Sequence, residues 1–222
     1  MKLYNDDCLN VLKKMQDNSV DLILTDPPYG IGINKMNFVT SGAVKVGGAY
    51  RNDYSNSSTD WDSEGLSLKQ WKEIERVSKN QIVFGANNFS NILPESKCWY
   101  VWDKRGADKF NNDFGDCEFI YTSFDKPCRV IRYLWSGMLQ ENMRKKEKRV
   151  HPTQKPVPVM ERLIEDFTEK GDVVLDCFMG SGSTGVASLK LQRDFIGVEL
   201  DKKYFEIAEK RCEEWDNQAR LF

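Results

Sequence analysis

Apolar residues along the chain fall into short runs separated by amphipathic stretches. Val20-Asp21-Leu22-Ile23-Leu24-Thr25 is a nearly continuous apolar run with β-branched residues, the pattern of a buried strand. Pro27 and Pro28 stop it, because neither can donate to a ladder, and Asp26 is left at the strand's carboxyl end. Gln81–Gly85, Cys98–Trp102, Glu118–Thr122, Arg129–Trp135, Asp172–Asp176 and Asp194–Glu199 read as further strands, and Lys2-Leu3-Tyr4 as a candidate first one. Helical spacing predicts a helix over residues 8–17, where Asp6 or Asp7 would cap it. It predicts another over Ser67–Ser78, with Leu68, Trp71, Ile74 and Val77 on the inner face, and a short helix over Asn87–Leu93. Further helices are expected over Val157–Thr168, up to about Leu191, and from near Asp201 to about Trp215. The β/α alternation indicates an α/β fold, a mostly parallel sheet with helices on both faces.

Two stretches break this rhythm. Residues 30–60 carry Gly30, Gly32, Gly42, Gly47 and Gly48 among many Asn and Ser, with little periodicity. A loop of that length directly after Asp26 reads as a lid or a substrate-gripping loop. Met138–Val150 is polar and basic and leads into His151-Pro152-Thr153-Gln154-Lys155-Pro156, whose last proline suits the first turn of the helix that follows.

At 222 residues, with 40% hydrophobic and 30% charged positions, the chain is expected to be one globular domain with a sizeable core. No run approaches the ~20 apolar residues of a membrane span, and Met1–Asp7 carries no apolar signal region, so a cytoplasmic location is expected. Six scattered cysteines without a CxxC pair, beside one histidine, argue against a zinc site and fit a reducing compartment. The net charge of −2 does not announce nucleic acid. Its distribution does: Lys126, Arg129, Arg132, Arg144, Lys145, Lys146, Lys148, Arg149 and Lys155 are opposed only by Glu141 and Glu147, a local surplus of +7. That is a candidate phosphate-binding face, or else a solvated charge run.

Two motifs carry chemistry. In Asp26-Pro27-Pro28-Tyr29 the stiff backbone lets the Asp26 carboxylate and the Pro27 carbonyl point the same way. Two acceptors side by side match an amino group with two N–H donors, and the Tyr29 ring can stack on a flat heterocycle. In Asp176-Cys177-Phe178-Met179-Gly180-Ser181-Gly182 a small-residue turn joins a strand to a helix, and Glu199 ends the next strand, where a nucleoside ribose would offer hydroxyls. Gly180, Gly182 and Gly185 fit dinucleotide spacing. However, a carboxylate at Asp176 would repel a pyrophosphate and suits a cofactor with a cationic amino end, such as S-adenosylmethionine.

With both motifs in view, the chain resembles the β-class DNA amino-methyltransferases, whose catalytic motif precedes the cofactor motif in circularly permuted order. The match rests on Asp-Pro-Pro-Tyr at 26–29, His-Pro-Thr-Gln-Lys-Pro at 151–156 and Asp-x-Phe-x-Gly-Ser-Gly at 176–182, and covers roughly residues 1–30 and 150–215. The resemblance implies a Rossmann-like, S-adenosylmethionine-dependent fold with a short variable target-recognition region at about 104–150. It implies that Asp26 and the Pro27 carbonyl accept from the target amine, that Pro28 shapes the turn, and that Tyr29 stacks on a flipped base. Asp176, Phe178, Gly180, Ser181 and Gly182 would line the cofactor site, Glu199 would hold the ribose, and Asp7 would sit beside the cofactor adenine. Thr153, Gln154 and Lys155 would contact its methionine end. Double-stranded DNA is the implied partner, gripped by Arg129, Arg132, Arg144, Lys145, Lys146, Lys148 and Arg149, and family analogy adds a homodimer.

An aspartate at position 26 leans to adenine-N6 methylation, and a serine there leans to cytosine-N4, which is the runner-up. Cytosine-C5 chemistry would need a cysteine nucleophile, and Cys128 lies far from the pocket strand in sequence. RNA or protein-glutamine methyltransferases with a similar tetrapeptide usually place the cofactor motif first. A non-catalytic DNA-binding or cofactor-sensing subunit would not need Asp26, Tyr29 and the glycine turn together.

Overall fold

The computed structural model describes residues 1–31, 45–46, 49–50, 62, 64–105, 115–136 and 139–219. In chain order its elements are β1 (Lys2–Asn5), α1 (Cys8–Leu12), β2 (Val20–Thr25), β3 (Lys45–Val46), β4 (Ala49–Tyr50), α2 (Leu68–Val77) and β5 (Ser78–Phe84). A 3₁₀ turn (Ala86–Phe89), β6 (Trp99–Asp103), β7 (Cys117–Thr122), β8 (Arg129–Arg132), β9 (Trp135–Ser136) and β10 (Leu139–Gln140) follow. The chain then forms α3 (Val157–Phe167), β11 (Val173–Asp176), α4 (Ser183–Lys190), β12 (Asp194–Glu199) and α5 (Lys202–Ala219).

Eight strands form one sheet in the order β1-β12-β11-β2-β5-β7-β6-β8. Every pairing from β1 to β5 is parallel, β7 runs antiparallel to both of its neighbours, and β8 is parallel to β6. The expected α/β architecture with a mostly parallel sheet is therefore present. Both faces are covered. Leu22, Leu24, Ile82, Phe84 and Val174 pack against α3, α4 and α5, whereas Ile23, Val83, Leu175 and Val198 pack against α1 and α2. Burial on both sides is why β2 is apolar along its length rather than alternating.

The topology brings the two sequence motifs together. β11 pairs directly with β2, Val174 opposite Leu22 and Leu175 opposite Ile23. From β2 the chain moves toward β5, and from β11 it moves toward β12, so the strand order reverses between them. In open α/β sheets such a switch point leaves a crevice at the carboxyl ends of the strands. The Asp26 corner and the glycine turn both open into it.

Several boundaries differ from the sequence reading. The helix expected over 8–17 is regular only to Leu12, after which turns carry the chain to Asn18 at φ +52°. In α2, Trp71, Ile74 and Val77 are buried but Leu68 is 54% exposed. Leu68 is the first residue after the Ser67 cap, where the inward stripe has not yet begun; Ser67 and Gln70 form a reciprocal capping box there. Pro156 is the N-cap of α3 rather than part of its first turn. The strand expected over Arg129–Trp135 stops at Arg132, and Trp135 belongs to a separate ribbon paired with Leu139–Gln140. Trp135 turns inward instead, its Nε1 donating to the Gln154 carbonyl at 3.1 Å. Of the glycine-rich stretch 30–60, residues 32–44, 47–48 and 51–60 lie outside the described residues, and Lys45–Val46 pairs with Ala49–Tyr50. No helix among the described residues is long and apolar enough to cross a membrane.

Candidate active site

A cavity of about 1150 Å³ occupies the crevice. It is lined by Asp7, Asp26, Pro27, Pro28, Tyr29, Thr153, Gln154, Lys155, Asp176, Phe178, Gly180, Ser181 and Glu199, so nearly every motif residue singled out from the sequence meets in one space. Gly182 is the exception. It is the N-cap residue of α4 at φ +81°, and a Cβ there would meet the Ala208 Cβ at 3.0 Å. Its place is in the packing of the turn against α5, not on the cavity wall.

At the β2 end, Oδ1 of Asp26 accepts from the Tyr29 hydroxyl at 2.7 Å and Oδ2 accepts from the Lys155 ammonium at 2.5 Å. Lys155 also lies 3.3 Å from Oε2 of Glu118, whose Oε1 accepts from Lys104 at 3.1 Å. Two carboxylates and two ammonium groups thus alternate around the pocket. Burial pushes the Asp26 carboxyl up from its ordinary value, against the opposing pull of Lys155. Burial alone would depress Lys155, but the two carboxylates hold it above the ordinary lysine range. Burial likewise works against a charged Glu118, and Lys155 and Lys104 together hold it low. Lys155, expected at the cofactor's methionine end, has its charged end on Asp26 instead.

Tyr29 is fixed from three sides. Its backbone N–H and that of Gly30 both donate to Oδ1 of Asp62, at 2.8 and 3.1 Å. Its ring stands edge-on to Phe89. The ring also lies on Gly85, where a Cβ would fall 2.2 Å from Cε1.

At the β11 end, Asp176 is 3% exposed and satisfied by three donors. Thr25 Oγ1 and Phe178 N–H reach Oδ1 at 2.7 and 3.1 Å, and Thr184 Oγ1 reaches Oδ2 at 2.6 Å. Desolvation still raises its pKa to about 6, the three donors only limiting the rise. Glu199 accepts from the N–H groups of Gly180 and Asp201, each at 2.8 Å, and burial lifts it to about 7. Asp7 caps α1 through Leu9 N–H at 2.8 Å while lining the cavity, so the capping and pocket roles weighed for it coexist. The Gln154 amide braces the basic segment: it accepts from Val150 N–H at 2.9 Å and donates to Glu147 Oε1 at 2.8 Å. Thr153 packs back on His151, which burial holds neutral with a pKa of about 3.

The basic run divides. β8 is parallel to β6 and ends at Arg132, opposite Asp103, on the site's edge of the sheet. Arg129 pairs with Tyr100, at the far end of the same strand. Lys126 donates to the Asp166 carbonyl at 2.8 Å, near the end of α3. Arg144, Lys145, Lys146 and Lys148 are exposed, Lys146 and Lys148 line the cavity mouth, and the Arg149 guanidinium stacks 4.2 Å from the Trp135 ring.

Glu118, Lys104, Asp62, Gly85 and Ser183 were not singled out from the sequence. Glu118 was missed because β7 runs backward, so that its start, not its end, lies at the site.

A switch-point crevice with an acid-proline corner on one strand and an acid-flanked glycine turn on its neighbour defines an α/β methyltransferase. Comparison with known proteins narrows this. A family model described as DNA methylase, of the N6/N4 methyltransferases, matches residues 87–210. The type II methyltransferase M2.MboI of Moraxella bovis is 29% identical over 245 residues, covering 96% of this chain and 87% of its own. The putative methylase YubD of Escherichia coli is 31% identical over 218 residues, covering 92% and 87%. The crystal structure of an M1.HpyAVI–SAM complex superposes with a TM-score of 0.56 at 24% identity, covering 95% of this chain and 98% of that one. The chain belongs to the N6/N4 DNA methyltransferase family and is an S-adenosylmethionine-dependent enzyme acting on DNA.

Proposed function

We propose that this enzyme methylates the exocyclic N6 amine of adenine at a specific site in double-stranded DNA. The observation that carries the reading is Asp26. A half-buried carboxylate directly after β2, braced by Tyr29 and sharing one cavity with the glycine turn, is placed to accept from an amino group.

The residues at the β11 end fit S-adenosylmethionine. Ser183 is 6% exposed and its hydroxyl has no hydrogen-bond partner among the described residues, so it is a polar group still owed a ligand. Gly180, at φ +50°, has nothing closer than the His151 ring at 3.9 Å from where a Cβ would be, which leaves its backbone open to close approach. Asp176 would hold the cofactor's cationic end, Glu199 its ribose hydroxyls and Asp7 its adenine, with Phe178 lining the same cavity. When bound, the cofactor supplies an electrophilic methyl group.

The chain's own work is on the acceptor. An exocyclic amine is a poor nucleophile because its lone pair is delocalised into the ring. Asp26 and the Pro27 carbonyl, accepting from its two hydrogens, draw the nitrogen toward tetrahedral geometry and free that pair. Tyr29 supplies a face for the base, which must first leave the duplex at a cost of about a few kcal/mol. Positioning contributes most of the acceleration, and no covalent enzyme intermediate is needed. Arg132, Arg144, Lys145, Lys146, Lys148 and Arg149 grip phosphates at the mouth, and the segment 104–150 carries target recognition within one methyltransferase domain.

Incubation with labelled S-adenosylmethionine and DNA from a methylation-free host, followed by nucleoside analysis, tests the reading. The expected product is N6-methyladenine. N4-methylcytosine would overturn the choice of base, and no incorporation would overturn the activity.

A further inference from the structure

The Lys155 ammonium stands where the target amine has to bond. It is 2.5 Å from Oδ2 of Asp26 with its side chain 6% exposed, while the Tyr29 hydroxyl occupies Oδ1. Its second neighbour is Oε2 of Glu118, in an ion-pair contact at 3.3 Å, and this buried oxygen has no assigned hydrogen-bond partner among the described residues. The other oxygen of Glu118 is anchored by Lys104 at 3.1 Å. One carboxylate is therefore fully engaged and the other is half open, with a single flexible ammonium between them.

We propose that Glu118 is the seat to which Lys155 moves when the target amine arrives. The Asp26–Lys155 pair is then a displaceable closed form of the pocket, and Glu118 is a positioning residue for methyl transfer. The proposal rests on Asp26 being the amine's acceptor. The physical reason is competition. A nitrogen that takes up a methyl group gains positive charge, and an ammonium held on the same carboxylate draws on the same stabilisation. Moving Lys155 to Glu118 leaves the charge of the pocket unchanged and frees Asp26 for the reacting nitrogen. The lysine stem can make this short move, since its ammonium is a compact charge on four rotatable bonds. The Tyr29 and Phe84 rings, 5.7 and 5.5 Å from Nζ, flank its present position.

The test is a cycle of Glu118→Gln, Lys155→Met and the double variant, read by steady-state methyl transfer, by calorimetric binding of S-adenosylmethionine, and by fluorescence of 2-aminopurine at the target position. Glu118→Gln is expected to lower kcat at least tenfold with cofactor affinity within twofold of the parent, because Lys155 loses its alternative seat. The double variant is expected to turn over faster than Glu118→Gln alone, a rescue that a merely structural glutamate would not show. Lys155→Met alone is expected to raise the 2-aminopurine signal, since the amine's place is vacated; this arm stands even if Glu118→Gln fails to fold. A parental kcat in Glu118→Gln, a double variant no faster than the single, or an unchanged signal in Lys155→Met would overturn the proposal. Methyl transfer by Asp26→Ala would instead overturn the reading of Asp26, so the two failures are distinguishable.

Discussion

The Thr25 hydroxyl donates to Oδ1 of Asp176 at 2.7 Å, across 151 positions of sequence. Thr25 is the last residue of β2 and Asp176 the last of β11, so this bond ties the acceptor corner to the cofactor turn at the point where the strands part. Thr25→Val removes one of the three donors to a buried carboxylate. Stability is expected to fall by about 1–3 kcal/mol, the usual consequence of leaving a buried polar group short of a partner. The midpoint of urea unfolding measures it, and a midpoint unchanged from the parent would mean that water makes good the loss.

Asp26→Ala should abolish methyl transfer while leaving S-adenosylmethionine binding nearly intact. Its carboxylate contacts Tyr29 and Lys155 and neither Asp176 nor Glu199. Parallel calorimetry and transfer assays separate the two effects, and substantial residual transfer would sink the assigned acceptor.

Cofactor binding should strengthen as pH rises. Asp176 and Glu199 have pKa values raised by burial to about 6 and about 7. For the free protein this means stability that is present below the ordinary carboxylate values and is lost as pH climbs through 6 and 7. A cationic amino group near Asp176 and hydroxyl donors to Glu199 both favour the ionised forms, so affinity increases through the same window. Asp176→Asn is expected to flatten the lower part of the profile and Glu199→Gln the upper part. Calorimetry between pH 5 and 8 checks this, and a flat parental profile would place the cofactor away from both carboxylates.

Gly85 is a further exacting position. Its φ is +62° and a Cβ would overlap the Tyr29 ring at 2.2 Å. Gly85→Ala forces the ring off its seat and the hydroxyl away from Asp26. The strained backbone costs about 1–2 kcal/mol, and kcat should fall well beyond what that loss of stability explains. A parental kcat at a temperature where the variant is folded would show that the ring has room to move.

Most of the site was legible because its residues follow strands that run in one direction. Asp26, Asp176 and Glu199 each follow or end a parallel strand, and an acid after an apolar run marks the ligand edge without any structure. Glu118 breaks that rule. It lies near the start of a reversed strand, and nothing in the local pattern of Glu118–Thr122 announces the reversal. Gly85 and Asp62 were silent for another reason: their importance lies in contact with Tyr29, 56 and 33 positions away. Gly182 was over-read, since a glycine that lets α5 approach has the same spacing as one that lets a ligand approach. Charge counting makes the basic run one surface because it carries no direction, whereas β8 crosses from the far end of the strands at Arg129 to the site's end at Arg132.

That crossing gives the salt test its internal control. Each lysine or arginine that neutralises a phosphate releases counterion and steepens the fall of log affinity with log salt by about 0.9. Arg144, Lys145, Lys146 and Lys148 are exposed, the last two on the cavity mouth, whereas Lys126 is bonded near the end of α3 and Arg129 sits at the far end of β8. Replacing the first four by glutamine should flatten the salt slope of DNA binding, by about 0.9 for each that meets a phosphate, without changing cofactor affinity. Arg149 is left in place because its stacking on Trp135 also supports the ribbon. Replacing Lys126 and Arg129 removes two charges of the same sign from the opposite edge and should leave the slope as it was. Because both variants make the protein more acidic, a general change in net charge would move both slopes. Equal flattening in the two would mean that the DNA path is not set by the cavity mouth, and an unchanged slope in the first would return those four residues to the solvated surface.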